Sequence, residues 1–318
     1  MSSPHSSLFP LGGTGQGEGG VRRGVATLTL PLSPEGRGRR KRRRLGVLGL
    51  LAPAAALLGA LFLYPLANMA GLSVRTKFPG AWSYTAEHYA KFAADPYFLR
   101  VTQTTFLLAI GVTVLTIVVG YPVAYYFVRS RSRYKHLIFL AVISPLLVSI
   151  VVRTIGWTII LGNEGLLNGL LRGLGVIREP LPFMNNVWAV MVGLVHVLLP
   201  FMILSIASVL GKIDPALEES AAILGANAAR TFWRVTLPLS IQGIAAGSIL
   251  VFCLTIGAYI TPWWLGRGKV LLFSTTIYDQ ILVIIDWPFG SAAAMILVAA
   301  TLAILLLYFA LIRRVGRR

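Results

Sequence analysis

Arg153 is the one Lys, Arg, Asp or Glu side chain inside any long apolar run of this 318-residue sequence. A guanidinium in hydrocarbon costs about 2.5–3.5 kcal/mol on insertion scales, so its presence there points to a task. Two tasks suit it: bracing a helix carbonyl or snorkelling to the headgroups, and touching an anionic or zwitterionic solute. Trp157 follows four residues later and groups with Trp188, Trp263, Trp264 and Trp287 near the expected outer ends of apolar runs. Indole rings there form an interfacial belt or line a path. His196 reads as an interior histidine, since no acidic residue accompanies it for proton relay. Asp279 and Asp286, with Glu87, Asp95, Glu164 and Glu179, are carboxylates of the loops on one side and suit a cation at a pore mouth. Eight Lys and Arg share that side, which also fits ordinary solvated loops. Arg153, Trp157, Asp279 and Asp286 are therefore the candidates for a substrate pathway.

Little else in the sequence carries chemistry. The single cysteine, Cys253, has no internal partner, and four scattered histidines lack metal-ligand spacing. Gly15–Gly20 matches G-x-G-x-x-G, but neither a strand nor a helix frames it, so it is no nucleotide site. A Walker A sequence, a zinc pattern and a serine elbow are all missing, so the chain is expected to be non-catalytic and to hold no cofactor.

The elements that position these residues follow from composition. Hydrophobic residues make up 56% of the chain and charged ones 13%, with a net charge of +18 and a mean hydropathy of +0.75. A soluble domain carries about 25% charged residues, and a nucleic-acid binder with this charge would not be so apolar. The expected class is an all-α membrane protein with no nucleic-acid partner. Six runs clear the ~20 residues that a membrane-spanning helix needs: 45–70, 101–128, 137–161, 187–210, 239–265 and 289–312. Their internal prolines are tolerated where neighbouring helices satisfy the freed backbone groups. Residues 1–44 read as a disordered basic tail, Ser/Gly/Pro-rich up to residue 36 and closing on the cationic block 37–44; residues 45–318 read as the spanning domain. With the N-terminus inside, twenty Lys and Arg fall on the cytoplasmic side and eight outside, so both termini are expected in the cytoplasm.

That topology puts the loop 211–238 in the cytoplasm as two short helices. Asp214 suits the first cap and Pro215 the first turn, while Glu218 and Glu219 lie near the positive end of the dipole. Leu217, Ala221 and Leu224 form a narrow apolar stripe, Gly225 suits a left-handed stop, and Asn227 suits the second cap. Such a pair fits either docking into a groove on a soluble partner or lying flat on membrane lipid with Phe232 and Trp233 at the headgroups.

The loop resembles the EAA signature of ABC importer permease subunits: Glu219-Ser220-Ala221, three residues, Gly225, nine residues, then Val235-Thr236-Leu237-Pro238. Ser220 replaces Ala and Val235 replaces Ile, both conservatively. The resemblance implies the six-helix type I importer permease fold. It also implies that Glu219, Ser220, Ala221, Gly225, Val235, Leu237 and Pro238 belong to the coupling helix and its frame, seated on an ATPase subunit.

Further likeness runs from about residue 44 to the C-terminus: Arg153-Thr-Ile-Gly-Trp157, Asn163-Glu-Gly-Leu-Leu-Asn168, Leu199-Pro-Phe-Met202, Gly257-Ala-Tyr-Ile-Thr-Pro262 and Trp287-Pro-Phe-Gly290. These resemble the first of the two paired permeases of the spermidine/putrescine branch. That branch implies a bacterial inner-membrane location, a second homologous permease, an ATPase dimer binding ATP and Mg, and a periplasmic substrate-binding protein. An arginine would repel a polyamine, so Arg153 itself would suit another solute. A stand-alone secondary transporter is the alternative; it calls for internal repeats and membrane-embedded acids, and the sequence has neither.

Overall fold

Hydrocarbon offers the backbone no hydrogen-bond partners, so the apolar runs must close their own bonds as helices. In the computed structural model the described residues are 35–76 and 83–315, with side chains described for 52–76 and 83–310. The helices are α1 (Glu35–Ser73), α2 (Glu87–Ala94), α3 (Pro96–Arg129), α4 (Lys135–Leu147), α5 (Ile150–Leu161), α6 (Leu166–Gly173), α7 (Val187–Leu210), α8 (Pro215–Ile223), α9 (Ala228–Thr231), α10 (Leu237–Ile256), α11 (Ile260–Gly266), α12 (Phe273–Tyr278) and α13 (Trp287–Val315). Two π-helical turns, Phe232–Thr236 and Asp279–Val283, precede α10 and follow α12.

Among the described residues six apolar segments are long enough to cross a membrane, the expected number: Ala52–Ser73, Pro96–Arg129, Ile150–Gly173, Val187–Leu210, Ala228–Ile256 and Trp287–Ala310. The largest departures from the expected boundaries are three. Residues 35–44, expected in the disordered tail, belong to α1, because Arg and Lys are good helix formers and only Gly36 and Gly38 oppose them. Residues 1–34 of that tail lie outside the described residues. The third run, 137–161, is interrupted at Val148–Ser149, where Val148 is in extended backbone just after Pro145 has removed a donor from α4, and the spanning segment is Ile150–Gly173 instead. The fifth starts earlier, at Ala228, and its helix ends at Ile256; residues 260–266 turn off as the separate α11.

The chain divides after Ala60 into two units. In the second, residues 61–318, α3, α7 and α10 pack into the main core, which includes Leu108, Val112, Leu194, Met202, Ile206 and Val251. The α7–α10 contact is close because Gly243 and Gly247 occur at a four-residue spacing and face α7. A Cβ on Gly243 would sit 3.0 Å from the Ser205 carbonyl oxygen and 3.1 Å from the Ile206 Cα. Small residues permit this approach where dispersion, not water exclusion, holds membrane helices together.

A second cluster joins α2, α3, α12 and α13 through Phe92, Phe98, Phe273 and Phe289, with ring centroids 4.9–5.3 Å apart. The Thr105 hydroxyl accepts from the Phe273 N–H at 2.8 Å and ties α12 to α3.

Candidate functional site

The loop 211–238 folds as its local signals dictate. Asp214 Oδ1 accepts from the Ala216 N–H at 2.9 Å, and Asn227 Oδ1 accepts from the Arg230 N–H at 2.8 Å, capping α8 and α9. Between them Gly225 takes φ +84°, while Ala226 N–H donates to the Ala221 carbonyl and Gly225 N–H to that of Ala222. That is a Schellman stop, and the left-handed residue sets the angle between the two helices. Pro238 cannot donate back to the Arg234 carbonyl, and the ladder just ahead of it widens into the first π turn.

The residues of the signature divide by exposure. Glu219 and Ser220 are exposed, the Ser220 hydroxyl donating to the Ala216 carbonyl at 2.7 Å. Ala221, Val235 and Leu237 are half-buried, and Pro238 is exposed. Ile223 and Leu224, at the tip of α8, are 86% and 87% exposed. Only Leu224 belonged to the expected apolar stripe, so the structure adds Ile223 to the face available to a partner.

Glu218 is where sequence reasoning missed most. It faces inward and accepts from Arg129 Nη2 at 2.8 Å, Arg129 Nε at 3.2 Å, the Thr236 hydroxyl at 3.1 Å and the Tyr125 hydroxyl at 3.2 Å. Arg129 Nη1 also donates to the Ile213 carbonyl at 3.1 Å. Both side chains of the ion pair are mostly buried, at 15% and 16% exposure. One turn deeper, Tyr121 and Ser240 hydrogen-bond at 2.8 Å, and Phe232 meets the Tyr121 ring edge-on. Thr236 is 18 residues from Glu218, but the other contacts lie 84 to 119 residues apart in sequence, which no local spacing reveals.

Of the pathway candidates, the structure gathers Arg153 and Trp157 around His196. Arg153 Nη2 donates at 2.6 Å to the carbonyl of Val148, at the interruption between α4 and α5. Its Nε is buried without a partner. Trp157 Nε1 donates to His196 Nδ1 at 3.2 Å with the rings edge-to-face, which puts the imidazole proton on Nε2. His196 also borders a cavity of about 290 Å³ between α3, α4 and α7, beside Pro145, Ser144 and Pro200. Arg153→Met removes the donor that serves the interrupted helix. The expected result is a stability loss of about 1–3 kcal/mol in thermal unfolding, with the half-saturating solute concentration unchanged.

Asp279 and Asp286 belong to another neighbourhood. Asp286 Oδ1 accepts from the Phe289 N–H at 3.3 Å at the start of α13. Asp279 opens the second π turn next to Tyr278, whose ring stacks on Tyr259 at 4.3 Å; Trp263 lies beyond Tyr259. Burial pushes the Asp279 carboxyl above the usual carboxylate range. Asn168, fully buried, ties the 162–181 loop together by hydrogen bonds to Gly162 and Leu181. No group of His, Cys, Asp or Glu among the described residues has a metal-site arrangement.

Six apolar segments, a helix-paired loop locked to the core and small polar clusters within it define a multi-pass transport permease. The chain belongs to the family of binding-protein-dependent transport system inner membrane components, which it matches over residues 92–318. It is 34% identical over 229 residues to the spermidine/putrescine transport system permease protein PotB of Haemophilus influenzae, covering 72% of this chain and 80% of that one. PotB of Escherichia coli K12 is 34% identical over 235 residues, covering 74% and 85%. The fold matches a bacterial ABC transporter involved in import of the acidic polysaccharide alginate, at 21% identity and TM-score 0.69 over 87% of this chain and 99% of that one. A second alginate ABC transporter structure, in complex with an alginate pentasaccharide-bound periplasmic protein, gives TM-score 0.71 at 21% identity over 87% and 97%. This chain is thus an ABC importer permease of the inner membrane, and a stand-alone secondary carrier is not favoured.

Proposed function

We propose that this permease passes polyamines inward. Its likeness to the spermidine/putrescine permeases, at 34% identity across most of both chains, carries that reading. It works with a second homologous permease, a periplasmic binding protein that delivers the solute, and an ATPase dimer that binds ATP and Mg. The chain itself is non-catalytic and holds no cofactor. Both termini lie in the cytoplasm, as does loop 211–238, where Glu219, Ser220, Ala221 and Gly225 present α8 to the ATPase. Asp279, with the stacked Tyr259 and Tyr278, offers a passing ammonium group a carboxylate and π faces, and a cation there would offset the burial of that carboxylate.

The test is reconstitution of the full complex in proteoliposomes. Spermidine uptake that needs ATP and the binding protein, and that excess putrescine inhibits, is the expected result. Uptake of an anionic solute with none of spermidine would overturn the polyamine reading.

A further inference from the structure

The contacts of Glu218 go beyond helix capping. Its carboxylate receives donors from two different parts of the fold: Tyr125 and Arg129 from the last turns of α3, and Thr236 from the π turn that leads into α10. Arg129 reaches past it to the Ile213 carbonyl, at the entry to the loop. Thr236 is buried, and the ion pair is largely shielded from solvent, so screening by salt is weak. Glu219, the neighbouring carboxylate, is exposed.

We propose that Glu218 and Arg129 form a mechanical clasp, the joint through which a displacement of α8 is passed at once to α3 and α10. Glu218 and Arg129 are then positioning residues, and the inference rests on the importer reading of the loop. The reasoning is geometric. α8 has nine residues, none of them fully buried, and its apolar tip points away from the protein. Hydrophobic packing alone therefore holds it weakly. Charge-assisted bonds with several donors on one carboxylate are stiff and directional, so the helix moves with the spans it is bonded to. Loss of one partner leaves the other charge buried and unpaired, which opens the joint. A broken clasp lets α8 follow the ATPase while the spans stay behind: hydrolysis continues and transport stops.

The experiment measures the ratio of solute taken up to ATP hydrolysed by the full complex in proteoliposomes. Glu218→Ala and Arg129→Ala are compared with wild type, and the isosteric Glu218→Gln and the milder Tyr125→Phe serve where the alanine variants do not assemble. The ratio is expected to fall at least about fivefold in Glu218→Ala and Arg129→Ala and by a smaller factor in Glu218→Gln, with hydrolysis retained. A lesion that merely unfolds the protein lowers both activities together and leaves the ratio of the surviving complex at the wild-type value, which overturns the clasp. So does an unchanged ratio in Glu218→Gln and Tyr125→Phe where only those assemble. A wild-type complex whose hydrolysis drives no uptake contradicts the importer reading instead.

Discussion

Replacing Ile223 and Leu224 together by Asp is expected to abolish ATP-driven uptake while leaving the chain folded in the membrane. Both side chains are more than four-fifths exposed, so neither contributes to the core. Covering one such side chain on docking contributes about 1.5–3 kcal/mol, and a buried, unpaired Asp adds a desolvation cost in its place. The loss amounts to affinity weaker by at least about a hundredfold for whatever α8 seats in. Membrane level and melting temperature of the isolated chain should match wild type, whereas uptake and co-purification of the ATPase should fall together. Normal uptake by the double variant would show that the tip of α8 is not the contact.

Gly243→Leu should act oppositely, on the fold before the function. Its Cβ would meet backbone atoms of α7 at 3.0–3.1 Å, and Ser205 and Ile206 are fixed by the helix they belong to. Overpacking a tight contact costs about 1–3 kcal/mol when side chains can move, and here backbone must move. The helices separate along the 243–247 stripe, loosening the contact that Met202 makes near Gly247. The expected outcome is a clear drop in melting temperature and in the amount of folded protein recovered in detergent, with any surviving uptake in proportion. A leucine tolerated at full stability would mean that α7 and α10 are not held as closely as described.

These two sites also show what a sequence exposes and what it conceals. Apolar runs of spanning length are legible because the membrane imposes a length on each helix, and their number was visible, although the third lies at 150–173 and not at 137–161. The caps of the loop, Asp214 and Asn227, and the stop at Gly225 were legible because each acts within a few residues. The interruptions at Val148–Ser149 and after Ile256 were not, since hydropathy continues across them unbroken. The inward turn of Glu218 was hidden for another reason: adjacent carboxylates on one helix look alike until Arg129, 89 residues away, selects one of them. Arg153 was conspicuous as a lone charge, but its hydrogen bond to Val148 depends on a helix break that the pattern did not show. Gly243 and Gly247 carry a recognisable spacing, yet only the packed structure identifies α7 as the helix they approach.

The central claim is that a separate ATPase drives this permease through the loop 211–238. Site-specific crosslinking tests it most directly: Leu224→Cys in a Cys253→Ser background, within the assembled complex, treated with a short heterobifunctional reagent that joins the introduced thiol to a lysine amine of a neighbouring subunit. The account predicts a covalent product joining this chain to the ATPase subunit, formed from Leu224→Cys and not from a cysteine at Leu306 on the exposed face of α13. A complex that transports solute normally yet gives no such product from Leu224→Cys, or gives it equally from Leu306→Cys, would contradict it.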